Sequence, residues 1–77
     1  MTKKELLAEI AEILDVDDEI TETTELRKYR EFDSLALMSL SALLGNKFGM
    51  KVSGAQLKHI QTPADLFSLI GEDQFSE

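Results

Sequence analysis

An all-α fold is what this 77-residue sequence predicts: a small helical bundle of three longer helices and one short one, with a long loop between the first two. Three observations carry the expectation. Apolar residues recur three and four positions apart in several segments, those segments are bounded by residues that start or stop helices, and no stretch alternates apolar and polar residues long enough to make a strand. Seventy-seven residues support one core and not two, so residues 1–77 read as a single domain.

The first helix is expected over residues 3–14, where "KKELLAEIAEIL" sets Leu6, Leu7, Ile10, Ile13 and Leu14 at helical spacing against Glu5, Glu9 and Glu12. Thr2 and Glu5 have the spacing of a capping box at its start. Residues 15–33, "DVDDEITETTELRKYREFD", keep no period and read as a loop. Loops this long are usually functional or disordered, and Val16, Ile20, Leu26, Tyr29 and Phe32 fall irregularly along it, as anchors pinning an ordered loop to the core would.

The second helix is expected from Ser34 to Phe48, with Asp33 or Ser34 available as its cap. Leu37, Leu40, Leu44 and Phe48 make one inward stripe, and Gly49 ends the helix where a positive φ is tolerated. Ser53 opens a short third helix, "GAQLKHI", with Leu57 and Ile60 inward. "TPADLFSLIG" opens a fourth, about 63–70, with Thr62 as cap, Pro63 in the first turn, Asp65 three residues after the cap and Gly71 as stop. Residues 72–77 are expected to fray.

Charge and composition exclude several function classes. Fifteen acidic and eight basic residues give a net charge of -7, which repels phosphate backbones and anionic membranes, so nucleic acid is not an expected partner. With no cysteine, the chain holds no disulfide, thiolate metal site or cysteine nucleophile, and any thiol chemistry must be imported. The N-terminal stretch lacks an uninterrupted apolar run and no later segment approaches a membrane span, so no membrane insertion and a cytoplasmic location are expected. Asp15, Asp17 and Glu19 alternate as in a calcium loop, yet Ile20 stands where glycine is needed and Leu26 where the bidentate glutamate belongs, so no metal site is expected.

The chemistry is best sought at "FDSL", residues 32–35. On local grounds Ser34 is either a helix cap or a site of attachment. It is not an activated nucleophile, because the single histidine, His59, falls in the short third helix and no base and orienter assemble around Ser34. Taken together, "FDSL" opening a second helix, "FG" at 48–49, "V" and "S" at 52 and 53, and "TPADL" at 62–66 make nearly the whole chain resemble the acyl carrier protein family. That resemblance implies 4′-phosphopantetheine esterified to Ser34 by a transferase that uses coenzyme A, with Asp33 as the acidic neighbour recognised by the transferase. It implies a non-catalytic carrier, expected to be a monomer, that takes acyl groups as thioesters between loading and accepting enzymes of a fatty-acid, polyketide or specialised lipid pathway. A long arm ending in a thiol explains how a cysteine-free chain holds an activated acyl group at high effective concentration.

Departures from the family pattern bear on partners. Typical fatty-acid carriers present acidic side chains on the second helix, whereas here eleven of the fifteen acids lie at or before Asp33 and none falls between Ser34 and Ala64. Ala36 and Ser39 stand where acids are expected. Leu35, Met38 and Ala42, with Ser39 beside them, form an apolar strip away from the core stripe. If exposed, it is a docking surface for a few dedicated enzymes and marks a specialised carrier; otherwise the loop covers it with Tyr29 and Phe32. Arg27, Lys28 and Arg30 either meet an acidic partner or the prosthetic phosphate, or neutralise nearby acids. Leu37, Leu40, Leu44, Phe48, Ile60, Leu66 and Phe67 read as an ordinary core, with an acyl-sequestering space as the alternative. Two other functions share the sequence features: an aminoacyl or peptidyl carrier with the same serine chemistry, and an unmodified helical interaction module.

Overall fold

A computed structural model describes residues 1–76, and helices form where the local caps place them. Helix α1 spans Lys3–Leu14. Its capping box is closed, with the Glu5 N–H donating to Thr2 Oγ1 (3.1 Å) and the Thr2 N–H to the Glu5 carboxylate (2.8 Å). Its last turn closes at Asp15, in the left-handed region at φ 54°, which aspartate tolerates better than most residues.

Helix α2 spans Ser34–Phe48 and stops at Gly49 (φ 65°), whose N–H returns to the Gly45 carbonyl (3.2 Å). Helix α4 spans Pro63–Ile70, and the Asp65 carboxylate accepts from the N–H groups of Gln61 (2.9 Å) and Thr62 (3.3 Å) at its start. Among the described residues there is no strand. The core takes Leu6, Ile10 and Leu14 from α1, Leu37, Leu40 and Leu44 from α2, and Leu66, Phe67 and Ile70 from α4, the all-α packing expected from the periodicity.

The loop between α1 and α2 is ordered and pinned, as its irregular apolar residues imply. Ile20 and Leu26 are buried, while Val16, Tyr29 and Phe32 pack on the core's edge. Backbone bonds hold it against the far end of the chain: the Leu26 N–H donates to the Gln61 carbonyl (2.9 Å) and the Ala64 N–H to the Glu22 carbonyl (3.0 Å). The Tyr29 hydroxyl donates to Asp18 (3.1 Å) and ties the two halves of the loop together. The loop also contains a short 3-10 turn, Leu26–Lys28, which its lack of period did not foretell.

Three expectations are corrected. Helix α3 is only Gly54–Leu57, not the full stretch to Ile60. Its continuation tightens into three-residue turns, His59 N–H to Gln56 O (3.3 Å) and Ile60 N–H to Leu57 O (3.2 Å), while the carbonyls of Lys58, Ile60 and Gln61 serve the loop. Residues 72–76 do not fray. Phe75 is buried with its ring edge-on to Phe48 (5.4 Å) and Phe67 (5.3 Å), and the Ser76 N–H donates to the Met1 carbonyl (3.0 Å); the tail expectation for Glu77 lies outside the described residues. Ala36 is buried in the core, so it is not a surface position that an acid would occupy.

Candidate functional site

The site is built at the start of α2. Asp33 has extended backbone (φ -112°, ψ -168°), and its Oδ1 accepts from the N–H groups of Leu35 (3.1 Å) and Ala36 (3.2 Å). The Asp33 carbonyl accepts from the Leu37 N–H (3.0 Å). The cap is therefore Asp33, and Ser34 is the first helical residue. Ser34 is exposed, and among the described residues nothing hydrogen-bonds to its Oγ. Of the two candidate caps, the Asp33 carboxylate satisfies the helix terminus, and the Ser34 hydroxyl stays exposed and outside the cap.

Ser34 opens onto a groove of about 340 Å³ lined by Arg27, Phe32, Asp33, Leu37 and Lys58. Three segments meet there. The 3-10 turn brings Arg27, the turn closed by the Phe32 N–H on the Tyr29 carbonyl (3.1 Å) brings Phe32, and the C-terminal end of α3 brings Lys58. Arg27 clasps the first segment to the last, its guanidinium donating to the carbonyls of Lys58 and Ile60 (Nε to the latter, 3.4 Å). Its lining combines the apolar side chains of Phe32 and buried Leu37 with two exposed cations, Arg27 and Lys58, and one exposed carboxylate, Asp33.

Beside the groove, the predicted docking residues share the outward face of α2. Leu35 is 69% exposed and Met38 68%, and Ser39 and Ala42 are exposed with them. Tyr29 and Phe32 turn to the core and leave this strip uncovered. The basic cluster disperses: Arg27 goes to the α3 carbonyls, Lys28 pairs with Glu25 (3.0 Å), and Arg30 is exposed. His59 is exposed and does not line the groove. Among the described residues no group of three or more histidine, cysteine, aspartate or glutamate side chains is placed to hold a metal ion, and no helix is long and apolar enough to cross a membrane.

Of the residues that line the groove with Ser34, sequence reasoning singled out Asp33 and, as one of two readings of the basic cluster, Arg27, but it did not bring Phe32 or Lys58 to Ser34. Arg27 and Lys58 lie 31 positions apart, so no periodicity or short motif joins them. For Lys58 the available signal was the absence of acids between Ser34 and Ala64, which leaves its charge without a local counterpart.

A family model described as the phosphopantetheine attachment site matches residues 4–70, from the first turn of α1 to the last residue of α4, and so takes in every residue of the groove. No curated protein and no solved structure matches the chain.

Proposed function

The chain belongs to the phosphopantetheine-attachment family, and from that premise we propose that it is a non-catalytic carrier whose attachment point is Ser34. The observation that carries the assignment is the division of labour at the start of α2: an exposed serine hydroxyl left out of capping because Asp33 supplies both cap bonds. Members of this family are the attachment site of covalently bound 4′-phosphopantetheine.

The residues present fit that group. Ser34 Oγ reaches solvent, the start of the 15-residue α2 favours an anion through its dipole, and the groove beside it is lined by two cations and by apolar Phe32 and Leu37. When bound, the arm supplies a terminal thiol, absent from this cysteine-free chain, on which acyl groups are held as thioesters. The chain's own residues place the arm: Asp33 fixes the helix start, and Leu37, buried one turn below Ser34, anchors that start to the core. Asp33 also offers the carboxylate that a phosphopantetheinyl transferase recognises.

Partner enzymes dock on the strip of Leu35, Met38, Ser39 and Ala42. Because α2 carries no acid, they read it by shape and apolar contact more than by charge, which fits a specialised carrier with few dedicated enzymes. The cargo on this reading is an acyl group of a fatty-acid, polyketide or specialised lipid pathway, carried by a cytoplasmic monomer. A second reading, an aminoacyl or peptidyl carrier, is favoured by the same lack of acids between Ser34 and Ala64. Loading of the holo-protein by an acyl-transferring or by an adenylating enzyme separates the two.

The assignment is tested by intact mass after incubation with coenzyme A, magnesium and a broad-specificity phosphopantetheinyl transferase. Wild type gains one phosphopantetheine and Ser34→Ala gains none. An unmodified wild type, with the transferase active on a control carrier and on no residue here, would overturn the proposal in favour of an unmodified interaction module.

A further inference from the structure

We propose that the groove beside Ser34 seats the phosphodiester of the prosthetic arm, held by Lys58 and by the N–H donors of Arg27 that its backbone clasp leaves free, so that the arm leaves α2 toward α3. The inference rests on the attachment at Ser34 proposed above.

Charge decides the direction. Asp33 is fixed in the groove's lining by its two cap bonds, and as a carboxylate it repels a phosphodiester attached to the next residue. Two cations line the same groove and outnumber it. Lys58 is exposed, lies in a stretch from Ser34 to Ala64 without a single acid, and has no ion-pair partner among the described residues. Arg27 is held by Nε and one Nη on the carbonyls of Ile60 and Lys58, which orients the rest of its planar fork in advance. On the other side of Ser34, the strip of Leu35, Met38, Ser39 and Ala42 offers an anion no cation at all.

Apolar surface supports the same direction, because Phe32 and Leu37 line the same groove. A seat made by exposed cations is weak and screened by salt. It biases the arm without locking it, as a carrier that surrenders its cargo to other active sites requires, and it keeps the α2 strip uncovered for partners.

The experiment uses the full chain in its holo form. Since the sequence has no cysteine, a maleimide nitroxide labels only the thiol of the attached arm, and intact mass on the same sample reports one arm per chain. Amide line broadening is then compared on the two sides of Ser34. The expected result is broadening at Phe32, Leu57 and Lys58 roughly twofold to fivefold greater than at Met38 and Ser39, the bias an exposed ionic contact supplies. That ratio falls toward one in Lys58→Gln and in wild type at high salt, and the Arg27 Nε–H resonance shifts between apo and holo forms. Equal broadening on both sides, or an unchanged pattern in Lys58→Gln, overturns the seat while the mass upholds the attachment. Absence of the mass gain removes the attachment, and the seat with it.

Discussion

Substituting Asp33 and Ser34 one at a time separates the cap from the attachment point. Asp33 Oδ1 satisfies two N–H groups of the first turn, that of Leu35 in solvent and that of Ala36 partly buried. Water replaces the first bond readily and the second less so, which puts Asp33→Ala near the middle of the usual range for a lost cap, about 1 kcal/mol. In a chain of this size that lowers Tm by about 4–8 °C. Ser34→Ala breaks no hydrogen bond and places a better helix former in the first turn, so its Tm stays within about 0.5 kcal/mol equivalent of wild type. Asp33→Asn is the diagnostic third variant. It keeps an acceptor for the cap and loses the charge, which costs the dipole interaction of about 0.3–1 kcal/mol, yet it removes the carboxylate proposed for transferase recognition. Thermal unfolding by circular dichroism reads the structural side and the rate of phosphopantetheine gain by mass reads the other. Ser34→Ala is stable and never modified; Asp33→Asn is nearly as stable and modified slowly. A Ser34→Ala variant that loses as much stability as Asp33→Ala would show the hydroxyl to be structural, and Asp33→Asn modified at the wild-type rate would reduce Asp33 to a cap.

Three further outcomes are expected. Phe75→Ala, which deletes the ring packed edge-on to Phe48 and Phe67, destabilises by about 3 kcal/mol in denaturant unfolding, at the lower end for a buried phenylalanine because the chain end relaxes; a loss under roughly 0.5 kcal/mol would mean the tail is not docked. Met38→Glu, at a side chain 68% exposed, leaves stability within about 0.5 kcal/mol but raises the KM of a loading enzyme acting on the holo-protein; a large fall in Tm with unchanged KM would refute docking there. Glu5 is held below its ordinary pKa of 4.5, first by the Thr2 N–H and then by the Thr2 hydroxyl. A lowered folded-state pKa stabilises above the unfolded value and is lost as pH falls through the folded one, so stability drops on acidification below about pH 4.5 and Glu5→Gln flattens that part of the Tm profile. An equally steep profile in Glu5→Gln would assign the acid sensitivity elsewhere.

The boundaries of α1, α2 and α4 were legible in the residues because each is set by a local device: the Thr2–Glu5 box, the Asp33 cap with Gly49 as stop, and Pro63 with Asp65 in the first turn. The start of α3 was legible for the same reason, through Ser53 and Gln56. Its end was not, because it is decided by carbonyls turned toward Leu26 and Arg27, residues of a distant loop. The tail misled for a similar reason. "EDQFSE" is polar apart from Phe75, and only the gap between Phe48 and Phe67 makes that ring a core residue.

By itself the sequence determined where the helices start, the serine at the head of the second one and the acid-free stretch from Ser34 to Ala64, since these depend on neighbours within a turn or on composition alone. Tertiary structure decided where α3 ends, that Leu35 and Met38 stay uncovered, and that Arg27 and Lys58 line the same groove as Ser34. Each of these turns on which distant groups compete for one hydrogen bond, one apolar surface or one charge, and that competition is settled only when the chain has closed on itself.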